Sequence, residues 1–326
     1  MALLDVRDLK IAFYDTTPPT EVVKGISFSL EEGETLGIVG ESGSGKTQTA
    51  LSILRLLKEN SAVSGGEILY EGSSVAHASS QDLQRIRGKE ISMIFQEPMT
   101  SLNPVYPVGK QVQEAILLHQ KVSKEEAKQR VIDIFRAVGI PEPEKRYKSY
   151  PHQLSGGLRQ RVMIGMAMVC RPKVMIADEP TTALDVTIEA QILQLMKKLC
   201  EEQETSIILI THNMGVVAEI CDYVYVMYAG RVMEQAETFE LFDHTAHPYT
   251  KGLLKSIPKL DGQEDRLYTI EGVVPNLLHL PKGCRFCTRC ECATERCFEE
   301  GPELYETAEG HKVRCFLSEE VAEDGK

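Results

Sequence analysis

The sequence lacks an excess of positive charge. Its 326 residues include 36 Lys and Arg against 48 Asp and Glu, which gives a formal net charge of −12. Proteins that hold nucleic-acid backbones usually display a basic face, so this acidic balance argues against nucleic acid as the partner. Much of the charge belongs to the end of the chain, where 291–326 contains eleven acidic and four basic residues. The exclusion is therefore weaker for the rest of the chain.

Long apolar runs are also missing. The longest nearly apolar stretch, Val162 to Cys170, is nine residues long, whereas a transmembrane helix needs about 20. The first ten residues contain charges and no apolar segment of the kind that a signal peptide needs. Hydrophobic residues nevertheless make up 42% of the chain, which is enough for a core. We therefore expect a soluble globular protein, of one large or two modest domains, that neither crosses a membrane nor is exported.

Strand and helix patterns alternate along much of the chain. A short buried-strand pattern at Thr35–Val39 is followed at once by a glycine-rich loop and then by apolar residues at helical spacing over 51–57. Further along, the apolar runs Val174–Ala177 and Ile207–Ile210 enclose a helical pattern from about 188 to 201. This alternation predicts a parallel α/β sheet.

The glycine-rich loop, residues 40–47, has the sequence GESGSGKT and fits the phosphate-binding pattern G-x-x-x-x-G-K-[ST]. Gly43 and Gly45 let the backbone curl so that successive amides face an anion at a helix N-terminus. Lys46 is placed to reach the β and γ phosphates, and the Thr47 hydroxyl to ligate Mg²⁺. A chance glycine turn is the alternative, and the flanking strand and helix argue against it. The predicted nucleotide-binding set is Gly40, Glu41, Ser42, Gly43, Ser44, Gly45, Lys46, Thr47 and Gln48.

Two adjacent acids, Asp178 and Glu179, follow the apolar run Val174–Ala177. On its own, such a run would usually be a strand that enters a polar loop. With a phosphate-binding loop upstream, the pattern favours a catalytic pair instead. Asp178 is then placed to hold Mg²⁺, directly or through water, and Glu179 is the candidate base that orients the attacking water.

Residues 154–157, with the sequence LSGG, resemble the signature of the ATP-binding cassette (ABC) ATPases, although the family usually has Gln next and this chain has Leu158. Ser155 and the amides of Gly156 and Gly157, at the start of a helix, can form a second anion-binding site. Without the other motifs, the simpler interpretation would be a helix N-cap with flexible glycines. In this family the signature closes on the phosphate loop of a partner subunit. The resemblance therefore implies a dimer with two ATP molecules between its subunits.

Other residues follow in the order typical of the same family, over about residues 3–250. The resemblance implies that Gln96 senses Mg²⁺ and the attacking water, that Asp185 contacts the partner subunit, and that His212 contacts the γ-phosphate. It also implies an aromatic ring against the adenine, where Phe13 fits, with Tyr14 as its rival and core packing as the alternative for both. The implied catalytic set is Lys46, Gln96, Glu179 and His212, and the implied Mg²⁺ ligands are Thr47, Gln96 and Asp178.

The resemblance and the alternation of strands and helices together predict the architecture. We expect an α/β fold of the P-loop NTPase class, an ABC ATPase with a RecA-like core, an antiparallel β subdomain, an inserted helical subdomain at about 97–171 and a small cysteine-rich C-terminal extension. A closing hairpin is expected at 223–232. The ATPase domain is expected to span 1–250 and the extension 251–326.

Within the family, the chain is similar to the ATPases of oligopeptide and dipeptide importers. The resemblance is carried by Gln96–Pro104, Tyr150–Gly157, His247–Thr250 and the cysteine-rich tail. It implies an ATP-hydrolysing subunit that powers peptide import at the cytoplasmic face of the membrane, with the proline-rich stretch after Gln96 receiving two permease subunits. A second ATPase subunit, identical or related, and an extracytoplasmic peptide-binding protein complete the implied assembly. The alternatives are the same motor with nickel or a sugar as cargo, and a soluble ABC ATPase that acts on nucleic acid or ribosomes.

Six of the nine cysteines lie within 284–315. A chain that stays in the cytosol is kept reduced, so such a cluster points to metal rather than to disulfides. The spacings Cys284-x-x-Cys287 and Cys287-x-x-Cys290 suit Zn²⁺, which thiolates bind well.

The family resemblance changes the expected metal. The tails of peptide-importer ATPases have four cysteines that match Cys284, Cys290, Cys297 and Cys315, and such tails are associated with a 4Fe-4S cluster. Four thiolates are the number that this cluster takes. The resemblance therefore implies an iron–sulfur site, with Zn²⁺ as the alternative and no metal as the third option, while the other two cysteines of the group are additional to the pattern.

Overall fold

The computed structural model describes residues 2–96, 101–182, 185–257 and 268–319. Its contacts divide the chain into two compact units. The first unit comprises Met1–Leu30, Thr35–Ala76 and Ile210–Lys326, and the second comprises Glu31–Glu34 and His77–Leu209. The C-terminal extension thus belongs to the same unit as the glycine-rich loop, and a domain boundary near residue 250 stays a prediction.

Strands and helices alternate through both units. The strands are β1 (Leu4–Phe13), β2 (Thr20–Leu30), β3 (Thr35–Val39), β4 (Ser61–Tyr70), β5 (Ser73–Ser74), β6 (Ile91–Ile94), β7 (Val174–Asp178), β8 (Ser206–Thr211), β9 (Tyr223–Tyr228), β10 (Arg231–Glu237), β11 (Tyr305–Ala308) and β12 (His311–Val313). The helices are α1 (Lys46–Ile53), α2 (Ser80–Arg85), α3 (Val108–His119), α4 (Lys124–Ala137), α5 (Pro143–Arg146), α6 (Gly156–Met168), α7 (Val186–Gln203), α8 (Met214–Ile220), α9 (Thr238–Asp243), α10 (Pro248–Lys255) and α11 (Glu295–Glu299).

The first unit contains an antiparallel sheet with the strand order β2-β1-β4-β5. Strand β1 pairs with both neighbours, and Leu4 lies opposite Leu30 of β2 and Tyr70 of β4. A register shift against β2 between Val6 and Leu9 moves the buried face of β1 from even to odd positions, as a β-bulge does. This sheet is the predicted antiparallel β subdomain.

Five further strands of the first unit follow the order β11-β12-β10-β9-β3. Strand β3 is parallel to β9, with Leu36 opposite Tyr223, and β9 and β10 form the predicted hairpin. Strand β12 pairs with β10, where Val313 lies opposite Glu234, so the extension adds β11 and β12 to this sheet. The sequence does not predict these two strands, because they are only four and three residues long.

The second unit contains the strand order β8-β7-β6, with β8 represented by Ser206–Leu209. Strand β6 is parallel to β7, and Ile91 lies opposite Val174. Every residue of β7 is buried, as the continuous apolar run before Asp178 predicts for a strand covered on both faces. The acidic pair described below lies at the end of this strand, because Asp178 is its last residue and Glu179 follows directly.

Helices α3, α4 and α6 of the second unit pack together as the predicted helical subdomain. The side chain of Ser123 caps α4 by accepting a hydrogen bond from the amide of Glu126 at 3.1 Å. The buried apolar residues of the three helices include Val112, Ile116, Val131, Phe135 and Ile164.

Helix α1 ends earlier than its apolar spacing predicts. The pattern extends to residue 57, whereas the helix ends at Ile53. Arg55 has a φ of 50°, a left-handed conformation that no α-helix continues through. After the helix, Leu54 is buried in the core, whereas Leu56 is exposed and Leu57 is half-buried.

Candidate functional site

The glycine-rich loop begins where β3 ends and leads directly into α1. Gly40, Gly43 and Gly45 all have positive φ, at 152°, 80° and 100°. A Cβ at Gly40 would lie 2.1 Å from the carbonyl oxygen of Met227, which is far inside van der Waals contact. Position 40 therefore requires glycine, because it needs both the positive φ and the absence of a side chain.

Lys46 is buried within this loop. Its Nζ donates hydrogen bonds to the carbonyl oxygens of Gly40 at 2.7 Å and Glu41 at 3.0 Å. The hydroxyl of Ser44 is also buried and has no hydrogen-bond partner in the part of the chain that the structure describes. Buried polar groups are normally satisfied. A buried ammonium and an unsatisfied hydroxyl in a loop that opens a helix fit a bound anion such as a nucleotide phosphate.

The remaining loop residues differ in exposure. Ser42 and Gly43 are exposed, while Thr47 and Gln48 are half-buried in the first turn of α1. Thr47, the predicted Mg²⁺ ligand, is thus part of the first turn of α1 and is not fully buried.

Glu41 is held by two residues from the C-terminal part of the first unit. Its amide donates a hydrogen bond to the Tyr249 hydroxyl at 2.9 Å. Its two carboxylate oxygens accept hydrogen bonds from Arg289 at 2.6 and 3.1 Å. Sequence reasoning placed Glu41 in the nucleotide-binding set but missed both partners, because they lie more than 200 positions away in the chain.

In the second unit, the structure brings Gln96 and Glu179 together. The Gln96 side-chain amide donates a hydrogen bond to Glu179 Oε2 at 2.9 Å, and the Thr182 hydroxyl donates to the same oxygen at 3.0 Å. Glu179 has a φ of 46°, an uncommon conformation for a non-glycine residue that is concentrated at functional sites. Asp178, at the end of β7, is completely buried. The two acids therefore differ in environment, because Asp178 is buried and the Glu179 carboxylate accepts hydrogen bonds from two side chains.

The signature segment opens α6. Ser155 is the N-cap residue, and its hydroxyl accepts a hydrogen bond from the amide of Leu158 at 3.4 Å. Ser155 and Gly156 are exposed, and Gly157 is half-buried. Asp185 caps α7 in the same way, by accepting from the amide of Ile188 at 3.0 Å, and is exposed. Both helix N-termini are thus accessible at the surface of the second unit.

Three predicted residues lie in the first unit outside the loop. His212 follows β8 and is exposed, beside Asn213, which caps α8. Phe13 ends β1 and is half-buried, while Tyr14 has 53% of its surface exposed. Exposure does not separate these two aromatics as the adenine-stacking residue. Residues 97–100, which belong to the Gln96–Pro104 stretch, and residues 183–184, which precede Asp185, lie outside the described residues.

The buried lysine in a glycine-rich loop between a parallel strand and a helix defines a P-loop nucleotide-binding protein. A family model described as ABC transporter matches residues 23–182, and one described as oligopeptide/dipeptide transporter, C-terminal region, matches residues 233–297. The oligopeptide transport ATP-binding protein AppD of Bacillus subtilis (strain 168) is 50% identical over 319 residues, which are 98% of this chain and 97% of that protein. The dipeptide transport ATP-binding protein DppD of Escherichia coli (strain K12) is 46% identical over 315 residues, 97% of this chain and 96% of that protein.

Solved structures agree with these relatives. A dimeric, post-hydrolysis form of the ATP-binding cassette MJ0796 bound to ADP and Pi superposes with a TM-score of 0.65 at 26% identity, covering 72% of this chain and 98% of that one. The cbiO1 protein from Clostridium perfringens, part of an ABC transporter complex, gives 0.63 at 30% identity, covering 74% and 90%. The chain therefore belongs to the ABC transporter ATPases, among the ATP-binding proteins of oligopeptide and dipeptide transport. The predicted family and fold class are confirmed, and the chain is an ATPase.

The extension carries the six clustered thiols around one small pocket. Its volume is about 30 Å³, and it is lined by Cys284, Cys287, Cys290, Cys292, Cys297 and Cys315 together with apolar side chains such as Phe286 and Phe316. Burial raises the pKa of both Cys284 and Cys290 to about 11.

The predicted metal site is not supported by this geometry. Across the described ranges, no group of three or more His, Cys, Asp or Glu side chains is arranged to hold a metal ion. The 4Fe-4S ligands expected at Cys284, Cys290, Cys297 and Cys315 line one pocket but are not placed as ligands.

Among the described helices, none is long and apolar enough to cross a membrane.

Proposed function

We propose that this chain is the ATP-hydrolysing subunit of an ABC importer for oligopeptides or dipeptides. The observation that carries the proposal is the breadth of the similarity, because oligopeptide transport ATP-binding proteins align with 97 to 98% of the chain at 50 to 51% identity. The match extends into the C-terminal region of oligopeptide/dipeptide transporters. This favours peptides over nickel or a sugar as cargo, and a transport motor over a soluble ABC ATPase for nucleic acid or ribosomes.

In the first unit, the loop would bind the phosphates of ATP. The amides at the N-terminus of α1 and the ammonium of Lys46 would contact the β and γ phosphates, in place of the carbonyl contacts that Lys46 now makes. The Thr47 hydroxyl would ligate Mg²⁺, and His212 would contact the γ-phosphate. Phe13 or Tyr14 would stack against the adenine.

In the second unit, Asp178 and Gln96 would ligate Mg²⁺, which when bound neutralises phosphate charge. Glu179 would orient the attacking water and accept its proton. The hydrogen bonds from Gln96 and Thr182 hold the Glu179 carboxylate in one orientation, which a positioned base requires. The strained backbone of Glu179 supports the same role.

The proposed assembly contains a second ATPase subunit, identical or related, and two permease subunits. The exposed N-termini at Ser155 and Asp185 suit contact with a partner cassette, and the related cassette MJ0796 is described as dimeric. In the helical subdomain, Val105 and Tyr106 expose 70% and 57% of their surface, and Leu118 exposes 58%. Exposed apolar residues of this kind suit docking to a permease at the cytoplasmic face of the membrane, with a peptide-binding protein on the other side.

Substitution of the proposed base tests the ATPase mechanism. Glu179→Gln should bind ATP as the wild type does and hydrolyse it at least about a hundredfold more slowly. The matched control is Glu202→Gln, which removes an exposed acid that pairs with Lys198 on α7 and should leave turnover unchanged. Full turnover in Glu179→Gln would exclude this residue as the base.

Reconstitution tests the transport proposal. The chain should co-purify from membranes with permease subunits, and vesicles containing the complex should take up labelled dipeptides or oligopeptides only with ATP. Uptake of nickel or a sugar instead would overturn the cargo assignment. Co-purification with ribosomes or nucleic acid and no membrane subunit would overturn transport itself.

We also propose that the thiol pocket of the extension is an iron–sulfur site. The donor chemistry fits, since four thiolates complete a 4Fe-4S cluster and the pocket is lined by six thiols. Cys284, Cys290, Cys297 and Cys315 would supply the four ligands after closing from their present positions. The cluster has no assigned step in ATP hydrolysis.

Metal analysis tests this second proposal. Protein purified without air should contain iron and acid-labile sulfide in equal amounts, and a Ser substitution at any of the four ligands should lower both. Colourless protein that contains Zn²⁺ instead would replace the cluster by the alternative metal. Metal-free protein with normal stability would remove the proposal.

A further inference from the structure

The extension contacts the glycine-rich loop directly through one ion pair. Arg289 lies in a short 3₁₀ turn, Cys287–Arg289, that also carries one thiol of the pocket, Cys287. Its guanidinium binds the Glu41 carboxylate through two hydrogen bonds, at 2.6 and 3.1 Å. Such a paired arrangement fixes direction as well as distance. The second residue of the loop is thus held by a side chain 248 positions later in the chain.

Arg289 uses its full hydrogen-bonding capacity in this position. Besides its two bonds to Glu41, it donates to the Tyr228 hydroxyl at 3.2 Å and to the carbonyl oxygens of Ile270 at 3.1 Å and Glu271 at 2.9 Å. These five bonds match the five N–H groups of a guanidinium. Its side chain is only 4% exposed, and that of Glu41 is 28% exposed. Because each N–H group of this buried arginine has its own acceptor, the guanidinium is fixed in position and orientation.

The backbone of Glu41 is held from the same side. Its amide donates to the hydroxyl of Tyr249, which is fully buried. The Tyr249 ring packs against Tyr228 and Phe286, at centroid distances of 4.7 and 5.3 Å. Phe286 belongs to the extension and lines the thiol pocket. The amide of Glu41 therefore contacts the aromatic cluster of Tyr228, Tyr249 and Phe286 directly. Its carboxylate is linked to the same cluster through Arg289, which donates to the Tyr228 hydroxyl.

A second contact of the extension reaches the loop through the β9–β10 turn. The buried side chain of Arg285 donates to the carbonyl oxygen of Ala229. The amide of the next residue, Gly230, donates to the carbonyl oxygen of Ser44 at 3.0 Å. The extension therefore supports the loop at Glu41 and, through the β9–β10 turn, at Ser44.

We propose that Arg289 is a positioning residue for the glycine-rich loop, and that through it the cysteine-rich extension sets the affinity of the loop for ATP. The proposal rests on the proposed function, in which this loop binds ATP. Glu41 lies at the entrance of the loop and does not use its side chain on the phosphates. By fixing this residue, the ion pair preorganises the loop amides before ATP arrives, which lowers the cost of ordering them on binding.

Arg289→Gln tests the proposal by removing the positive charge and the paired hydrogen bonds that the guanidinium donates to the Glu41 carboxylate. ATP affinity, measured with a fluorescent ATP analogue in the full chain, should fall about tenfold, while kcat at saturating ATP should stay within about twofold of wild type. Arg289→Lys keeps the charge but cannot donate two parallel hydrogen bonds, so its ATP affinity should lie between those of Arg289→Gln and the wild type. The matched control is Arg296→Gln, an exposed arginine of the same extension that pairs with Glu300 and Glu319, and it should bind ATP normally.

Glu41→Gln attacks the same pair from the loop side, so the test does not depend on the folding of an altered extension. It should weaken ATP binding as Arg289→Gln does, and the double variant should be no weaker than either single one, because one interaction is removed once. Unchanged affinity in both single variants, additive losses in the double variant, or a loss confined to kcat would each overturn the positioning role. Absence of ATP binding by the wild type would instead reject the proposed function.

Discussion

The glycine-rich loop and the C-terminal extension lie in the same unit but are held in shape by different forces. The loop depends on backbone geometry, since Gly40 leaves no room for a Cβ and Lys46 donates to two loop carbonyls. Contacts of this kind depend on shape. At Gly40 and Gly45 we therefore expect the loop not to tolerate the addition of atoms. The part of the loop that depends on charge is Glu41, which the extension holds through Arg289.

The extension has little apolar material to bury. Among its described residues, 251–257 and 268–319, the buried apolar side chains are Phe286, Cys287, Pro302 and Val313, beside the buried polar residues Arg285, His311 and Ser318. Charged side chains therefore make many of its contacts with the rest of the unit. Because buried ion pairs depend strongly on having both partners, we expect the extension to be sensitive to single charges and to pH.

The largest effect is expected from the loop. Gly40→Ala places a Cβ 2.1 Å from the Met227 carbonyl oxygen and should reduce ATP affinity by more than about a hundredfold, since small displacements of binding groups have effects of that size. Gly43→Ala is the matched comparison, because it also has positive φ but no atom within 4 Å of the added Cβ. It should cost only about 1 kcal/mol of conformational strain. Equal affinities of the two variants for ATP would show that steric shape does not control the loop.

A smaller effect is expected from the contact of His311, in the extension, with Glu234 of β10 and Glu240 of α9, which we call the clasp. His311 Nε2 lies 2.9 Å from Glu234 Oε1, and Nδ1 lies 3.2 Å from Glu240 Oε1. His311 and Glu234 are both buried, so His311→Leu would leave a buried carboxylate without its cation and should lower the free energy of unfolding by about 3 kcal/mol. Denaturant unfolding measures this loss. His244→Leu, which removes the exposed second partner of Glu240, should leave unfolding nearly unchanged.

The sequence predicts the local parts of this molecule far better than the distant pairs. Gly40, Lys46 and Glu179 were found because each belongs to a short motif whose residue types and spacing are typical of the site, although Gly40 contacts Met227 and Glu179 pairs with Gln96, 83 positions away. Arg289 and His311 were missed because their carboxylate partners lie 248 and 77 positions away. Single charged residues in a polar tail give no local signal of such pairing, and only the folded structure joins them.

The smallest effect concerns the pH dependence of the same clasp. Burial of His311 disfavours its charged form, but its hydrogen bonds to Glu234 and Glu240 outweigh the burial and raise the pKa above 6.5. A raised pKa means that the folded state binds the proton more tightly, so the stabilisation is complete below about pH 6.5 and is lost as the pH rises through the folded pKa. The lowered pKa of Glu240, caused by its hydrogen bonds to His244 and His311, acts in a separate window, below 4.5.

The difference in unfolding free energy between wild type and His311→Leu should therefore shrink as the pH rises from 6.5 towards 9. The same comparison for Gly43→Ala should stay constant over this range, because no titrating group is involved. A His311→Leu difference that also stays constant would show that the pKa of His311 is not raised in the folded protein. The clasp would then depend on shape, as the loop does, and the contrast between the two regions would fail.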